Sequence, residues 1–170
     1  MIDPQEATPL SGLTERGLGS NVTTHGVITE TETGYLLVEV DSDYSGNRLP
    51  VSVRVDGIEQ DVEEGAYALV RGRLSTTAQP VAYGTAVLRV RDINVFDPEL
   101  DEHATETSQS KSHNMVLDIL EEYSDPVPFR FVVETAVERG IDREATNTML
   151  ERMVQAGNLY SPETGRVGSV

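Results

Sequence analysis

The chain has 170 residues, a formal charge of −16 from 13 basic and 29 acidic groups, 38% hydrophobic residues and no cysteine. That length suits one medium domain or two small ones, and the apolar content fills small cores rather than one thick one. Disulfides and thiolate metal sites are excluded, and no apolar run approaches the ~20 residues of a membrane span. The start, MIDPQEATPLSGLTERG, has neither a basic opening nor an apolar stretch. No signal peptide is expected, and the cytoplasm is the expected compartment. Without a signal peptide, the sequon Asn21-Val22-Thr23 reads as chance.

Residues 1–22 are rich in Pro, Gly, Ser and Thr and show no sustained period, which predicts a flexible leader. From 23 to 97, apolar and polar residues alternate in short runs, the signature of strands. THGVITETE is followed by a Thr33-Gly34 turn and YLLVEVDSDY. SGNRLP turns the chain into VSVRVD, and the acidic loop GIEQDVEEG leads to YALVRGRLST. The loop TAQPVAYG then leads to TAVLRVRDINVF. Five strands in about 75 residues, with a longer connection between the third and fourth, fit a five-stranded all-β OB-fold barrel. Val38, Val40, Val51, Val53, Val55, Ala68, Val70, Leu88 and Val90 are expected inward. Gly72 gives the fourth strand room to bend.

Residues 98–112 are polar and without apolar period, and read as a linker. Beyond them the period becomes about 3.6. SHNMVLDILEEY forms a helix with Ser112 as N-cap and Met115, Leu117 or Val116, Ile119, Leu120 and Tyr123 on one side. FRFVVETAVERG forms a second, with Val132, Val133, Ala136 and Val137 inward and Gly140 as its stop. Asp142 caps a third, REATNTMLERMVQAG, whose apolar side is Ala145, Met149, Leu150, Met153 and Val154. NLYSPETGRVGSV reads as a hairpin. Three helices and a hairpin make residues 113–170 an α+β winged helix-turn-helix domain.

Arginine placement is the most informative feature of the first domain. Of the 13 basic residues only Lys111 is not arginine. Arg71 and Arg73 sit two apart, Arg89 and Arg91 repeat the spacing, and Arg54 lies on the strand before. In a barrel whose fifth strand lies between the third and fourth, period two puts these five on one outward band. Arginine meets phosphate bidentately and stacks on bases. Tyr44, at the end of strand two, and Tyr83, between strands four and five, are placed to stack bases. In the other reading, the arginines are solvated positions balancing nearby carboxylates and the tyrosines close the barrel core. The loop EQDVEEG has to point away from any bound strand.

Three resemblances sharpen this. High Asp and Glu with almost no lysine resembles the composition of proteins from salt-loving microbes. The rival reading is a protein that avoids nucleic acid or binds a basic partner. In 1 M salt, charge is screened over only ~3 Å, so net charge loses most of its power to repel an anion. VEVDSDYSG, GAYALVRGRLS and LRVRDINVF resemble the OB domains of replication protein A, over roughly residues 23–97. AVERGIDREATNTMLERMVQAGNLYSPETGRV resembles the C-terminal winged helix of archaeal MCM helicases and that of the middle subunit of replication protein A, over about 108–170. The linker TSQSKSHN also resembles the approach to this domain in haloarchaeal MCM proteins.

No Gly-x-x-x-x-Gly-Lys-Ser/Thr loop accompanies that match, so a helicase is excluded. His25, His103 and His113 are too scattered for a zinc site, and no nucleophile elbow or dinucleotide-binding glycine motif occurs. Neither enzymatic activity, a cofactor nor a metal is expected. On helix three and the hairpin, Arg143, Thr146, Asn147, Arg152 and Arg166 form a candidate contact face. Residues 104–170 carry six basic and eleven acidic groups. That favours docking of proteins, as the resemblance to replication protein A implies, over duplex DNA.

The expected function is a non-enzymatic accessory protein of DNA replication or repair. Its barrel would hold single-stranded DNA, and its winged helix would dock replication or repair proteins. It could join other OB-fold subunits in a hetero-oligomer. A protein-interaction adaptor without DNA binding and a duplex-binding transcription regulator are the alternatives.

Overall fold

The structure is a computed structural model that describes residues 1–39, 52–81, 84–97, 109–162 and 165–170. The chain divides into two compact units, Met1–Asp97 and Pro98–Val170. Among the described residues no helix is long and apolar enough to cross a membrane.

The first unit is a mixed sheet of β1 (Asn21–Thr31), β2 (Gly34–Val38), β3 (Ser52–Asp56), β4 (Tyr67–Val81) and β5 (Gly84–Phe96). The strand order is β1-β2-β3-β5-β4, and only the β3–β5 pair is parallel. β1 serves two neighbours. Residues 27–31 pair with β2 and residues 21–27 with β4, so the ladder returns to its first strand. Gly26 lies at this change of partner. A Cβ there would stand 2.5 Å from the Val38 carbonyl oxygen, so only glycine lets the strands approach this closely.

Alternation fills the core as the sequence predicts for Val53 and Val55, for Ala68 and Val70, and for Leu88, with Val90 packed at its margin. The second strand is corrected by one residue. Leu37 is fully buried and Val38 only half-buried, because the run Tyr-Leu-Leu-Val is apolar on both faces and leaves its parity to the pairing partners. Val40 and Val51 lie outside the described residues. β4 also continues to Val81, which pairs with Gly84, through residues the sequence reads as a loop.

Residues 1–22, expected as a flexible leader, are instead folded against the sheet. They form 3-10 turns at Pro4–Glu6 and Leu10–Glu15. Leu10 and Leu13 join the sheet's core, and Ile2 and Ala7 are buried as well. Thr8 lies parallel to β1: its N–H donates to the Thr23 carbonyl at 2.8 Å, and the Thr24 hydroxyl donates to the Thr8 carbonyl at 2.6 Å. Isolated apolar residues in 3-10 turns carry no period, which is why the sequence hides them.

In the second unit, α1 (Gln109–Glu121), α2 (Phe129–Glu138) and α3 (Arg143–Gln155) pack with a small sheet. Its strands are β6 (Val127–Pro128), β7 (Leu159–Tyr160) and β8 (Arg166–Ser169), in the order β6-β8-β7. Val116, Ile119, Val132, Val133, Ala136, Leu150 and Val167 are fully buried. Asp142 caps α3 as expected, accepting from the Ala145 N–H at 2.8 Å. Two expectations are corrected. α1 begins at Gln109, so Ser112 lies inside the helix rather than at its cap, and the expected linker loses residues 109–112 to α1. Its residues 98–108 lie outside the described residues. The buried side of α3 runs through Thr146, Leu150 and Met153, whereas Ala145 is exposed. Thr146 reaches the interior because its hydroxyl donates to the Asp142 carbonyl at 2.9 Å, which satisfies its one donor.

Among the described glycines of the first unit, Gly72 leaves the least room for a side chain. A Cβ there would lie 2.4 Å from the Arg89 carbonyl oxygen and 3.0 Å from Leu88 Cδ1. Gly72→Ala is expected to destabilise the fold by about 1–3 kcal/mol, read as a lower denaturation midpoint at unchanged slope. An unchanged midpoint would show that β5 moves aside freely.

Candidate nucleic-acid interface

Residues 1–97 contain seven arginines, and five of them stand on β3, β4 and β5. Register brings their backbones together. Arg73 on β4 lies opposite Arg89 on β5. Asp56 on β3 flanks Arg89 from the other side, and Asn21 on β1 flanks Arg73. One row across four strands thus reads Asp56, Arg89, Arg73, Asn21. Two residues along β4, Arg71 lies between Thr23 and Asp92.

The register shifts between Arg71 and Gly72. Asp92 pairs with Arg71 and Val90 with Gly72, so Arg91 is the extra residue of a β-bulge. Before the bulge Leu88 and Val90 turn inward, and after it Ile93 and Val95 do. Simple alternation would have carried Arg89 and Arg91 along one face. The bulge instead returns Asp92 to the face of Arg71 and Arg73, with Arg91 exposed at the kink.

The five guanidiniums are not equally available. Arg54 donates to Asp56 Oδ1 at 3.1 Å and to the Thr33 carbonyl at 3.1 Å. Arg71 pairs with Glu6 Oε2 at 2.9 Å. Arg73 Nε donates to the Gly19 carbonyl at 3.0 Å. Arg89 and Arg91 are exposed, and no carboxylate among the described residues pairs with either. The folded N-terminal segment therefore supplies acceptors to two arginines of the band, which sequence reasoning missed.

The border of the band is acidic. After Asp56 the chain enters the loop with Glu59, Asp61, Glu63 and Glu64 exposed. Val62 is buried in the core, Ile58 packs against it, and Gly57 approaches the Val90 backbone. Tyr44 and Tyr83, the expected stacking platforms, lie outside the described residues. Tyr35 packs against the core.

On the second unit the expected contact face is largely committed internally. Glu134 on α2 is buried to 3% exposure and holds two cations: Arg130 Nε at 2.5 Å and the Arg143 guanidinium. One carboxylate thus ties the start of α2 to the start of α3. Its Arg130 partner follows the i,i+4 spacing, a signal visible in the sequence. Arg166 donates to the Pro126 carbonyl. Asn147 is half-buried, and Arg152 is exposed. One turn beyond Glu134, partial desolvation pushes the Glu138 carboxyl above its ordinary value. The neighbouring Glu134 charge adds to this and Arg139 opposes it.

Among the described residues no group of three His, Asp or Glu is placed to hold a metal ion. No protein-family model matches the chain, and no curated protein is significantly similar to it.

Glu134→Ala leaves Arg130 and Arg143 half-buried without their shared anion. It is expected to destabilise the second unit by about 2–3 kcal/mol, read as loss of helical signal at lower denaturant. A change under about 0.5 kcal/mol would show that the two arginines find water instead.

Proposed function

We propose that the chain is a non-enzymatic single-stranded DNA-binding protein of replication or repair. In this reading the first unit is an OB-fold barrel, and the second is a winged-helix module that docks a replication or repair protein. The observation that carries the DNA reading is the register of Arg73 against Arg89. Like charges directly opposite across two strands cost stability, and here Arg91 adds a third guanidinium at the adjoining bulge. Such a cluster favours an anion. A phosphodiester backbone meets it with several phosphates in succession, at the short range that survives concentrated salt.

Glu6 fits the same picture. Its ion pair with Arg71 is exposed, 39% on the arginine side and 60% on the glutamate side. Exposed pairs contribute at most about 1 kcal/mol. A phosphate can displace such a carboxylate. For the second unit, engagement of Arg143 and Arg166 within their own unit weighs against the duplex-reading regulator.

A second reading has its own support. Three of the five arginines already hold intrachain acceptors, and Asp56 and Asp92 interrupt the band. This pattern suits a protein-binding adaptor whose sheet face docks another polypeptide, including another OB-fold subunit. One titration separates the two readings.

Fluorescence anisotropy with a single-stranded oligonucleotide, run from low to molar salt, is the test. The wild type is expected to bind, and Arg89→Ala/Arg91→Ala to weaken binding at least tenfold. The double variant is also expected to flatten the logarithmic salt slope by about 0.7 per lost phosphate contact. No binding by the wild type, or an unchanged slope in the variant, would leave the adaptor reading. Glu6→Gln frees Arg71 and is expected to tighten binding by no more than about fivefold. Weaker binding in Glu6→Gln would show that the N-terminal segment forms the site rather than competing for it.

A further inference from the structure

The second unit carries a groove of about 290 Å3 between the start of α1 and α3, lined by Ser112, Asp142, Glu144, Ala145, Thr148, Met149 and Arg152. Ser112 is 1% exposed, and its hydroxyl has no hydrogen-bond partner among the described residues. A buried hydroxyl left unpaired carries a desolvation cost of roughly 1–3 kcal/mol. It lines this groove, so an occupant could supply the missing partner.

The groove is polarised along α3. Asp142 and Glu144 stand at one end and Arg152 at the other, with Ala145 and Met149 between them. Eight residues of helix separate Glu144 from Arg152, about 12 Å at 1.5 Å per residue. An extended peptide covers that distance in about four residues at ~3.3 Å each. Two carboxylates against one guanidinium disfavour a polyanion. They favour a segment of both signs, placed in the opposite order.

We infer that this groove binds a short peptide segment of a partner protein, basic at the end facing Asp142 and Glu144 and acidic at the end facing Arg152. Its middle residue is apolar and rests on Ala145 and Met149. A main-chain group of the segment pairs with the Ser112 hydroxyl. The inference rests on the docking role proposed for the second unit and names its surface and the chemistry of its partner.

The probe is the synthetic peptide acetyl-Arg-Ser-Leu-Ser-Asp-amide, titrated into the full isotope-labelled chain and followed by amide chemical shifts. Shifts are expected at Ser112, Ala145, Thr148 and Met149. Arg152→Glu is expected to weaken binding at least tenfold, and a peptide ending in Arg instead of Asp to restore it on that variant. Ser112→Ala is expected to weaken binding severalfold without lowering the thermal midpoint, because it removes an unsatisfied group. A merely structural serine would leave affinity unchanged.

No shift at those four amides overturns the inference, as does equal binding of the peptide with its charged ends exchanged. Peptide shifts centred on the β7 strand around Tyr160 overturn the groove but keep the docking role. A duplex oligonucleotide shifting the α3 amides, with no effect from either peptide, overturns both.

Discussion

One extra residue in β5 decides what the sheet presents to its surroundings. A strand alternates its side chains, so a single insertion moves everything beyond it to the other face. Here the insertion falls at Arg91, beside the glycine that lets β4 approach the Arg89 carbonyl. It keeps Leu88 and Val90 in the core on one side and Ile93 and Val95 in the core on the other. Without the bulge, either the last turn of the core or the arginine face would be lost. Gly72 and Arg91 thus link packing to the candidate site: the first supplies the space and the second takes up the surplus.

Much of this was legible in the sequence, for identifiable reasons. Strict alternation in VSVRVD and in the later part of YALVRGRLS, from Val70 to Leu74, fixes which side is inside. The helices announce themselves through period and through Asp142 and Gly140. Parity became unreadable where apolar residues run together, as at Leu36-Leu37-Val38, and where a bulge resets it, as at Arg91. The N-terminal segment was invisible because 3-10 turns with single apolar anchors have neither the strand nor the helix period. Its Glu6 contact lies 65 residues from its partner, beyond any local pattern. The register of Arg73 against Arg89 follows from pairing, which residue spacing alone does not state.

The two units handle cations in opposite ways. In the second, Glu134 collects Arg130 and Arg143 at the junction of α2 and α3, and arginines that look like recognition residues act as internal ties. Helix α3 is thereby anchored at its first turn, and what remains outward is its mixed-sign side with Arg152. In the first unit the ties are weaker and lie at the surface, made by the carboxylates of Asp56 and Glu6 and by backbone carbonyls. Arginine identity therefore says little about role. The burial of the partner separates a strut from a contact that an incoming anion can replace.

The folded N-terminal segment has a consequence for the order in which the chain can acquire its structure. Thr8 needs β1, Gly19 needs Leu74 of β4, and Glu6 needs Arg71. Residues 6–19 therefore wait for partners that lie some fifty to sixty-five residues further along the chain. Until β4 has emerged, Leu10 and Leu13 have no complete core to enter. Contacts this far apart in sequence slow a fold, because the loop between them must close before they add stability. The arrangement makes this segment the closing piece of its unit, although it precedes every strand of the sheet in sequence.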